Sequence, residues 1–459
     1  MTSFFLCCVA FVFSYVAARR SLVAGLATVV TVGYAYGILR ANITEPSSHF
    51  IFDAAVLGLY LAQLAKPAGR GWGGRRTLAL WVGALAAWPL LLFFAPVQDY
   101  AVQLVGLRGN VFLLPLVLLG ARLTGEDVKR LALAFAALNL IAFGFAAAEF
   151  VLGVERFYPR NAVTELIYNS VVDENFLSPD RSTALRIPAT FTSAHAFAGT
   201  LVLTFPFLFG LWALKGARPA WQDHLLKAAL GATLLGVFMA AARQPFVVLA
   251  LLLGVSLTLA AGRLHARSWA LWVVMLAGIG WTVSSEARLQ RFMTLRDTDY
   301  VSDRVSWSVN ESFFELAVEY PMGNGLGGGG TSMPYFLQGR INPPRAFMEN
   351  EYARIVLEQG VFGLCLWAGF IVWVFARRAV RRTDEWHVGR RLLWVACAAF
   401  FMTGMIGTGL LTSIPGTAIV LVGVGWVAVR QPRAAESRAS AAPAESGAAP
   451  APELVRQYG

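Results

Sequence analysis

Charge is what this sequence has least of. Only 14% of its 459 residues are charged, against 57% hydrophobic residues and a mean hydropathy of +0.58. A soluble domain carries about 25% charged residues. A soluble protein of this length is therefore excluded, and the length counts membrane spans rather than soluble domains. Lysine is scarcer still, with Lys66, Lys129, Lys215 and Lys227 only. The four cysteines, Cys7, Cys8, Cys365 and Cys397, have neither CxxC nor metal-ligand spacing. They lie in apolar runs and read as filler, which excludes a disulfide framework. There is no P-loop and no GxSxG. Asp297–Thr298–Asp299 has DxD form but opens a charge-rich loop, so no metal site is assigned.

What is present is a succession of apolar runs at about residues 3–18, 21–39, 51–65, 78–95, 110–121, 131–151, 194–214, 226–242, 245–262, 268–285, 353–376, 392–412 and 415–429. They predict an all-α polytopic membrane protein with 12 or 13 transmembrane helices. Many of the 14 Trp fall near the run ends, as in an interfacial belt. Arg19 and Arg20 follow the first run, and no basic stretch precedes it, so it reads as an anchor. The organisation expected is a membrane domain over 1–430 and a disordered cytoplasmic tail over 431–459, rich in Ala, Pro, Ser and Glu. No inverted internal repeat of the transporter kind is visible.

Loop charge sets the orientation. All four lysines and the larger share of the arginines fall on the side that holds the tail, including Arg377, Arg378, Arg381, Arg382, Arg390 and Arg391. That side is the expected cytoplasm of a bacterial inner membrane. The net charge of +11 is explained by this anchoring, so no nucleic-acid partner is expected. Two polar segments, 152–193 and 286–352, interrupt the pattern on the opposite, periplasmic side. Loops this long are usually functional. Within the second, Val305, Val309, Phe313, Leu316 and Tyr320 share one helical face of Arg304–Tyr320, which predicts an amphipathic helix over the membrane domain. Pro321 ends it, and GNGLGGGG (323–330) follows as a turn.

The outer side thus contains arginine without lysine. Guanidinium gives bidentate bonds to phosphate and stays charged at any relevant pH. Arg108, Arg186, Arg243 and Arg304 stand out by position. Arg108 precedes the fifth run, Arg186 lies at the mouth of the seventh, Arg243 is isolated between two runs, and Arg304 opens the amphipathic helix. A charge at a span end is a functional candidate, although any one of them also fits snorkelling or a surface salt bridge. For proton transfer the outer side offers His49, His195 and carboxylates, of which Glu349 stands where the large loop meets the membrane. An acid there equally suits a helix N-terminus.

In this order, the segments RIPATFTSAHAFAG (186–199), AARQPF (241–246), Arg304, YPMGNGLGGGG (320–330) and MENEYARIVLEQGVFG (348–363) resemble the O-antigen ligase and Wzy-type polysaccharide polymerase family. The resemblance covers mainly residues 180–376. It implies an integral-membrane, metal-independent, inverting glycosyltransferase without a cofactor. The expected donor is an undecaprenyl-pyrophosphate-linked oligosaccharide. The expected acceptor is a second glycan or lipid-linked unit, with membrane lipids and polysaccharide-assembly or export proteins as further partners. By the same resemblance Arg186, Arg243 and Arg304, joined by Arg108, would bind the pyrophosphate. Glu349 or His195 would be the base, and Asn350, Tyr352, Gly325 and Gly327 would support the loop. Ligases place His before the Asn of the large loop, where this chain has Glu349, which favours a polymerase of repeat units over a ligase. A transporter or lipid flippase is the competing class.

Overall fold

The computed structural model describes residues 1–65, 75–169, 186–214, 218–260, 302, 313–330, 333–342, 350–376, 385–407 and 409–429. Among these residues the fold is all-helical, without strands. Residues Met1–Val429 form one compact unit, and the remaining unit, Arg430–Gly459, lies outside the described residues.

In chain order the helices are α1 (Thr2–Arg20), α2 (Leu22–Asn42), α3 (Ile51–Leu64), α4 (Arg76–Leu92), α5 (Tyr100–Val111), α6 (Pro115–Gly120), α7 (Gly125–Leu152), α8 (Glu165–Asn169), α9 (Ala194–Ala213), α10 (Ala220–Met239), α11 (Arg243–Ala260), α12 (Phe313–Glu319), α13 (Glu351–Ala376), α14 (His387–Thr403) and α15 (Gly416–Ala428). Among the described residues six spans are long and apolar enough to cross a membrane: α1, α2, the α5–α6 stretch Tyr100–Gly120, α7, α9 and α13. Shorter apolar helices stand at Arg76–Leu92, Arg243–Leu259 and Gly416–Ala428. This is the build of an all-α membrane protein. The run expected at 268–285 lies outside the described residues.

Local chemistry fixes several boundaries. Ser21 caps α2 by accepting from the Ala24 N–H, and Thr124 with Asp127 forms a capping box that starts α7. In α15 every residue is buried, and α9 is buried along most of its length, whereas α1 leaves Phe4, Phe5 and Phe13 exposed. α9 and α15 are therefore interior helices, and α1 is peripheral. α15 lies so close to α6 that a Cβ at Gly120 would meet the Val422 carbonyl and one at Gly425 the Val117 carbonyl. Small residues at such crossings let backbones approach where lipid supplies no hydrophobic drive. Asn139 joins four helices. Its Oδ1 accepts from the Tyr34 hydroxyl at 2.6 Å, and its Nδ2 donates to Thr204 Oγ1 at 2.9 Å and Thr233 Oγ1 at 3.0 Å.

Two apolar runs end differently from expectation. The run 392–412 is helical only to Thr403, because Gly404, Gly407 and Gly409 leave the helix and the Gly409 N–H donates to the Glu351 carboxylate at 2.8 Å. The fifth run begins ten residues early, at Tyr100, with Arg108 inside the helix.

Because the long helices alternate in direction, one end of the bundle gathers the segments 43–50, 93–99, 153–169, 186–193, 240–242, 320–330, 333–342, 404–407 and 409–415. The other end carries Arg19, Arg20, Arg75, Arg122, Lys129, Arg130, Lys227 and Arg391. The candidate residues that are described all belong to the first end.

Candidate functional site

The segment 186–193 is held by three neighbouring elements. Glu149, buried at the end of α7, accepts the Ala189 N–H at 2.9 Å, where Ala189 adopts φ +51°. The Tyr158 hydroxyl lies 2.6 Å from the Ala189 carbonyl and 2.8 Å from the Phe191 carbonyl. The Ile38 N–H donates to the Thr190 carbonyl at 3.1 Å, and Gly37 leaves no room for a Cβ against the Phe191 backbone. A left-handed non-glycine residue costs about 1 kcal/mol or more, and these contacts offset it. Ser193 then caps α9, which places His195 in its first turn.

His195 is exposed, and its Nδ1 lies 3.4 Å from an Arg186 terminal nitrogen. Arg243 approaches from a third direction. The chain turns through buried Ala240, Ala241 (φ +50°) and Ala242, and Arg243 opens α11 close enough to act electrostatically on His195. Two guanidiniums and an accessible imidazole therefore converge. Such a set can hold an anionic oxygen group while the imidazole accepts a proton from a hydroxyl.

Arg108 is differently placed. Its Nε and a terminal nitrogen make two 2.7 Å bonds to the two oxygens of Asp53, so its charge is matched by a carboxylate. Beside this pair the Tyr36 hydroxyl donates to the His49 carbonyl at 3.1 Å, and the Arg40 guanidinium stands 5.9 Å from the Tyr36 ring centroid. His49 lies in the 3-10 turn Pro46–Phe50. Burial, with Arg40 and Arg108 nearby, lowers its imidazole to about 3, so it is neutral at ordinary pH.

The first half of α13 is a buried charged knot. Asn350 caps it, its Oδ1 accepting from the N–H groups of Tyr352 (2.8 Å) and Ala353 (3.2 Å). Arg354, fully buried, donates to Glu351 Oε1 through Nε (2.9 Å) and a terminal nitrogen (2.6 Å), and to Glu358 Oε2 at 2.7 Å. Asn110 of α5 donates to Glu358 Oε2 at 2.7 Å and accepts from Gln359 at 2.9 Å. The helix then breaks at Gly360 (φ 70°, ψ −177°), a conformation essentially reserved to glycine. The Val361 N–H, freed by the break, donates to the Pro321 carbonyl, and the Asn324 N–H donates to the Leu357 carbonyl. In the glycine turn, Gly323, Gly325 and Gly327 alternate at φ near +84° (85°, 84° and 82°) and lay the chain against α5 and α13. The described part of the amphipathic helix, α12, packs on α13 through Phe313, Leu316, Ala317 and Tyr320.

Of the residues selected from the sequence, Arg186, His195 and Arg243 come together. Asn350, Tyr352 (whose hydroxyl donates to the Phe401 carbonyl at 2.7 Å), Gly325 and Gly327 have scaffold roles. Arg304 and Glu349 lie outside the described residues, as do Asp297 and Asp299. Sequence reasoning missed Arg354, Glu149 and Asn110. The signal for the first was present: Glu351, Arg354 and Glu358 are spaced i, i+3 and i+7 on one helix face within an apolar run. No family model matches the chain, and no curated protein matches it.

Proposed function

We propose that this chain is an inner-membrane glycosyltransferase of surface-polysaccharide assembly, a Wzy-like polymerase that joins undecaprenyl-pyrophosphate-linked repeat units at the periplasmic face. The observation that carries this reading is the convergence of Arg186, His195 and Arg243 from three chain segments at one end of an apolar helical bundle. In the proposed reaction an acceptor sugar hydroxyl gives its proton to His195 or to Glu349. The oxygen attacks the anomeric carbon, the bond to the pyrophosphate breaks, and configuration inverts. Arg186 and Arg243, with Arg304, hold the departing pyrophosphate as its charge develops.

The break at Gly360 beside a buried charged triad favours a second reading, a transporter or flippase of lipid-linked glycans, since broken helices and buried charges mark transport sites. One experiment separates them. Purified protein is given a lipid-pyrophosphate repeat unit with no added metal. Lengthening of the glycan on its lipid, lost in Arg186→Ala and Arg243→Ala, is the expected result. Transfer to lipid A-core alone indicates a ligase. Movement of the donor across vesicles without transfer indicates the transporter.

A further inference from the structure

The Arg40–His49 corner, beside the Arg108–Asp53 pair, is a second polar site at the same end of the bundle, built from residues other than Arg186, His195 and Arg243. His49 is 8% exposed, and its Nε2 has no hydrogen-bond partner among the described residues. A buried ring nitrogen left unsatisfied costs about 1–3 kcal/mol, which a bound polar group would recover. Arg108 is occupied by Asp53. Arg40 has no carboxylate partner among the described residues and rests on Tyr36. Over His49 stand two aromatic rings of the 3-10 turn Tyr335–Arg340. Tyr335 lies at 6.2 Å and Phe336 at 5.8 Å, centroid to centroid, and the two rings are nearly perpendicular at 5.4 Å.

The turn is anchored from below, so the platform is built and does not float. Met333, Leu337 and Ile341 pack on Val102, and the Asn342 N–H donates to Gln98 Oε1 at 2.8 Å. Tyr335 and Phe336 nevertheless remain 39% and 40% exposed. Large aromatic rings held open beside a cation and an unsatisfied polar atom suit a ligand with an apolar face, hydroxyls and a negative charge. A phosphatidylglycerol headgroup supplies the charge but no apolar ring face to pack against the aromatic pair.

We infer that this corner binds an acidic sugar residue, its ring packed against the exposed Tyr335 and Phe336, its carboxylate taken by Arg40 and a hydroxyl meeting His49 Nε2 as the aromatic side chains above it swing aside. The inference deepens the proposed function by naming a sugar class for the same face, and it rests on that face handling glycans. It makes the chain selective for glycans that carry a uronate or comparable carboxylated unit.

The test uses the full-length protein in detergent and direct binding measurements with three probes: a hyaluronan hexasaccharide (alternating glucuronate and N-acetylglucosamine), neutral chitohexaose, and phosphatidylglycerol. The acidic hexasaccharide should bind at least tenfold more tightly than the neutral one. Arg40→Gln should remove that preference, and Phe336→Ala, at an exposed position that does not threaten folding, should weaken both sugars alike. Equal affinity for the two sugars, no sugar binding, or a preference untouched by Arg40→Gln overturns the inference. So does displacement of the acidic sugar by phosphatidylglycerol at comparable concentration, which would make the corner a headgroup site. Binding is read without turnover. Acidic-sugar selectivity without glycan transfer therefore removes only the transferase reading, and transfer without selectivity removes only this subsite.

Discussion

Replacing Arg354 with methionine removes the guanidinium that lies between Glu351 and Glu358 while keeping most of the side-chain volume. Glu351 Oε1 would lose donors at 2.9 and 2.6 Å, and Glu358 Oε2 would lose one at 2.7 Å. All three side chains are fully buried, so water cannot take the place of the lost partner. Removing one member of a buried ion pair costs about 3–5 kcal/mol, because a charge is left uncompensated. Here two carboxylates are left, beside Asn110, which still serves Glu358. Destabilisation at the upper end of that range is expected, read as a large fall in the melting temperature of the detergent-purified protein. The same reasoning requires a rescue. In Glu351→Gln/Arg354→Met/Glu358→Gln no charge remains in the knot, and most of the loss should be recovered. Hydrogen exchange adds a local readout: the Asn324 and Val361 amides, bonded to Leu357 and Pro321, should lose protection in the single variant. A single variant that melts like the parent, or a triple variant worse than the single, would refute the claim that charge balance holds this half-helix in place.

Other tests bear on separate parts of the molecule. Gly360→Ala puts a Cβ at φ 70° against the Pro321 carbonyl and should cost at least about 1–3 kcal/mol. Gly231→Ala, inside α10 with no atom near the added Cβ, should be neutral or stabilising in the same melting assay. Asn139→Leu leaves the buried Tyr34 hydroxyl without its acceptor and takes a donor from Thr204 and Thr233, whose hydroxyls keep their bonds to backbone carbonyls, and should lower the melting temperature by more than Asn42→Leu, at an exposed position. His49 sets a pH dependence. Its folded value, about 3, lies below the unfolded value near 6.5, so the unfolded chain binds the extra proton. The stability it contributes is complete above pH 6.5 and declines as pH falls from there toward 3. His49→Phe should flatten the melting-temperature profile in that window.

Span positions were legible because apolar runs report lipid exposure and burial alike. The mismatches arise where tertiary structure changes the meaning of a residue. Arg108 truncated the fifth run on hydropathy, yet Asp53, 55 positions earlier, neutralises it and allows α5 to start at Tyr100. The run to 412 is apolar enough for a span, but its glycines and the Gly409–Glu351 bond hold residues 404–407 and 409–412 outside the helix. At the candidate site, Arg186 and His195 are nine residues apart, so their approach could be foreseen. The approach of Arg243 depends on how α9, α10 and α11 pack, which no local pattern encodes. The ordered motif with Glu358, Gly360 and Gly363 was visible, but its physical content was not. Glu358 balances Arg354, Gly360 breaks the helix, and a Cβ at Gly363 would collide with the Gln359 side chain.

The charges at the candidate end divide by partner. Asp53 answers Arg108, and Glu351 with Glu358 answers Arg354, so these groups cancel locally and fix the positions of α3, α5 and α13. Arg186 instead faces an imidazole, and Arg40 faces a phenol. Neither has a carboxylate partner among the described residues. Charges inside a low-dielectric scaffold interact more strongly than charges in water, so uncancelled cations there project a positive potential from the rim. Among the described residues, Asp53, Glu351 and Glu358 are spent on the scaffold and do not quench them. That division leaves the end rigid in its interior and receptive to anions at its surface, which is the condition a binding site for a phosphorylated or carboxylated ligand must meet.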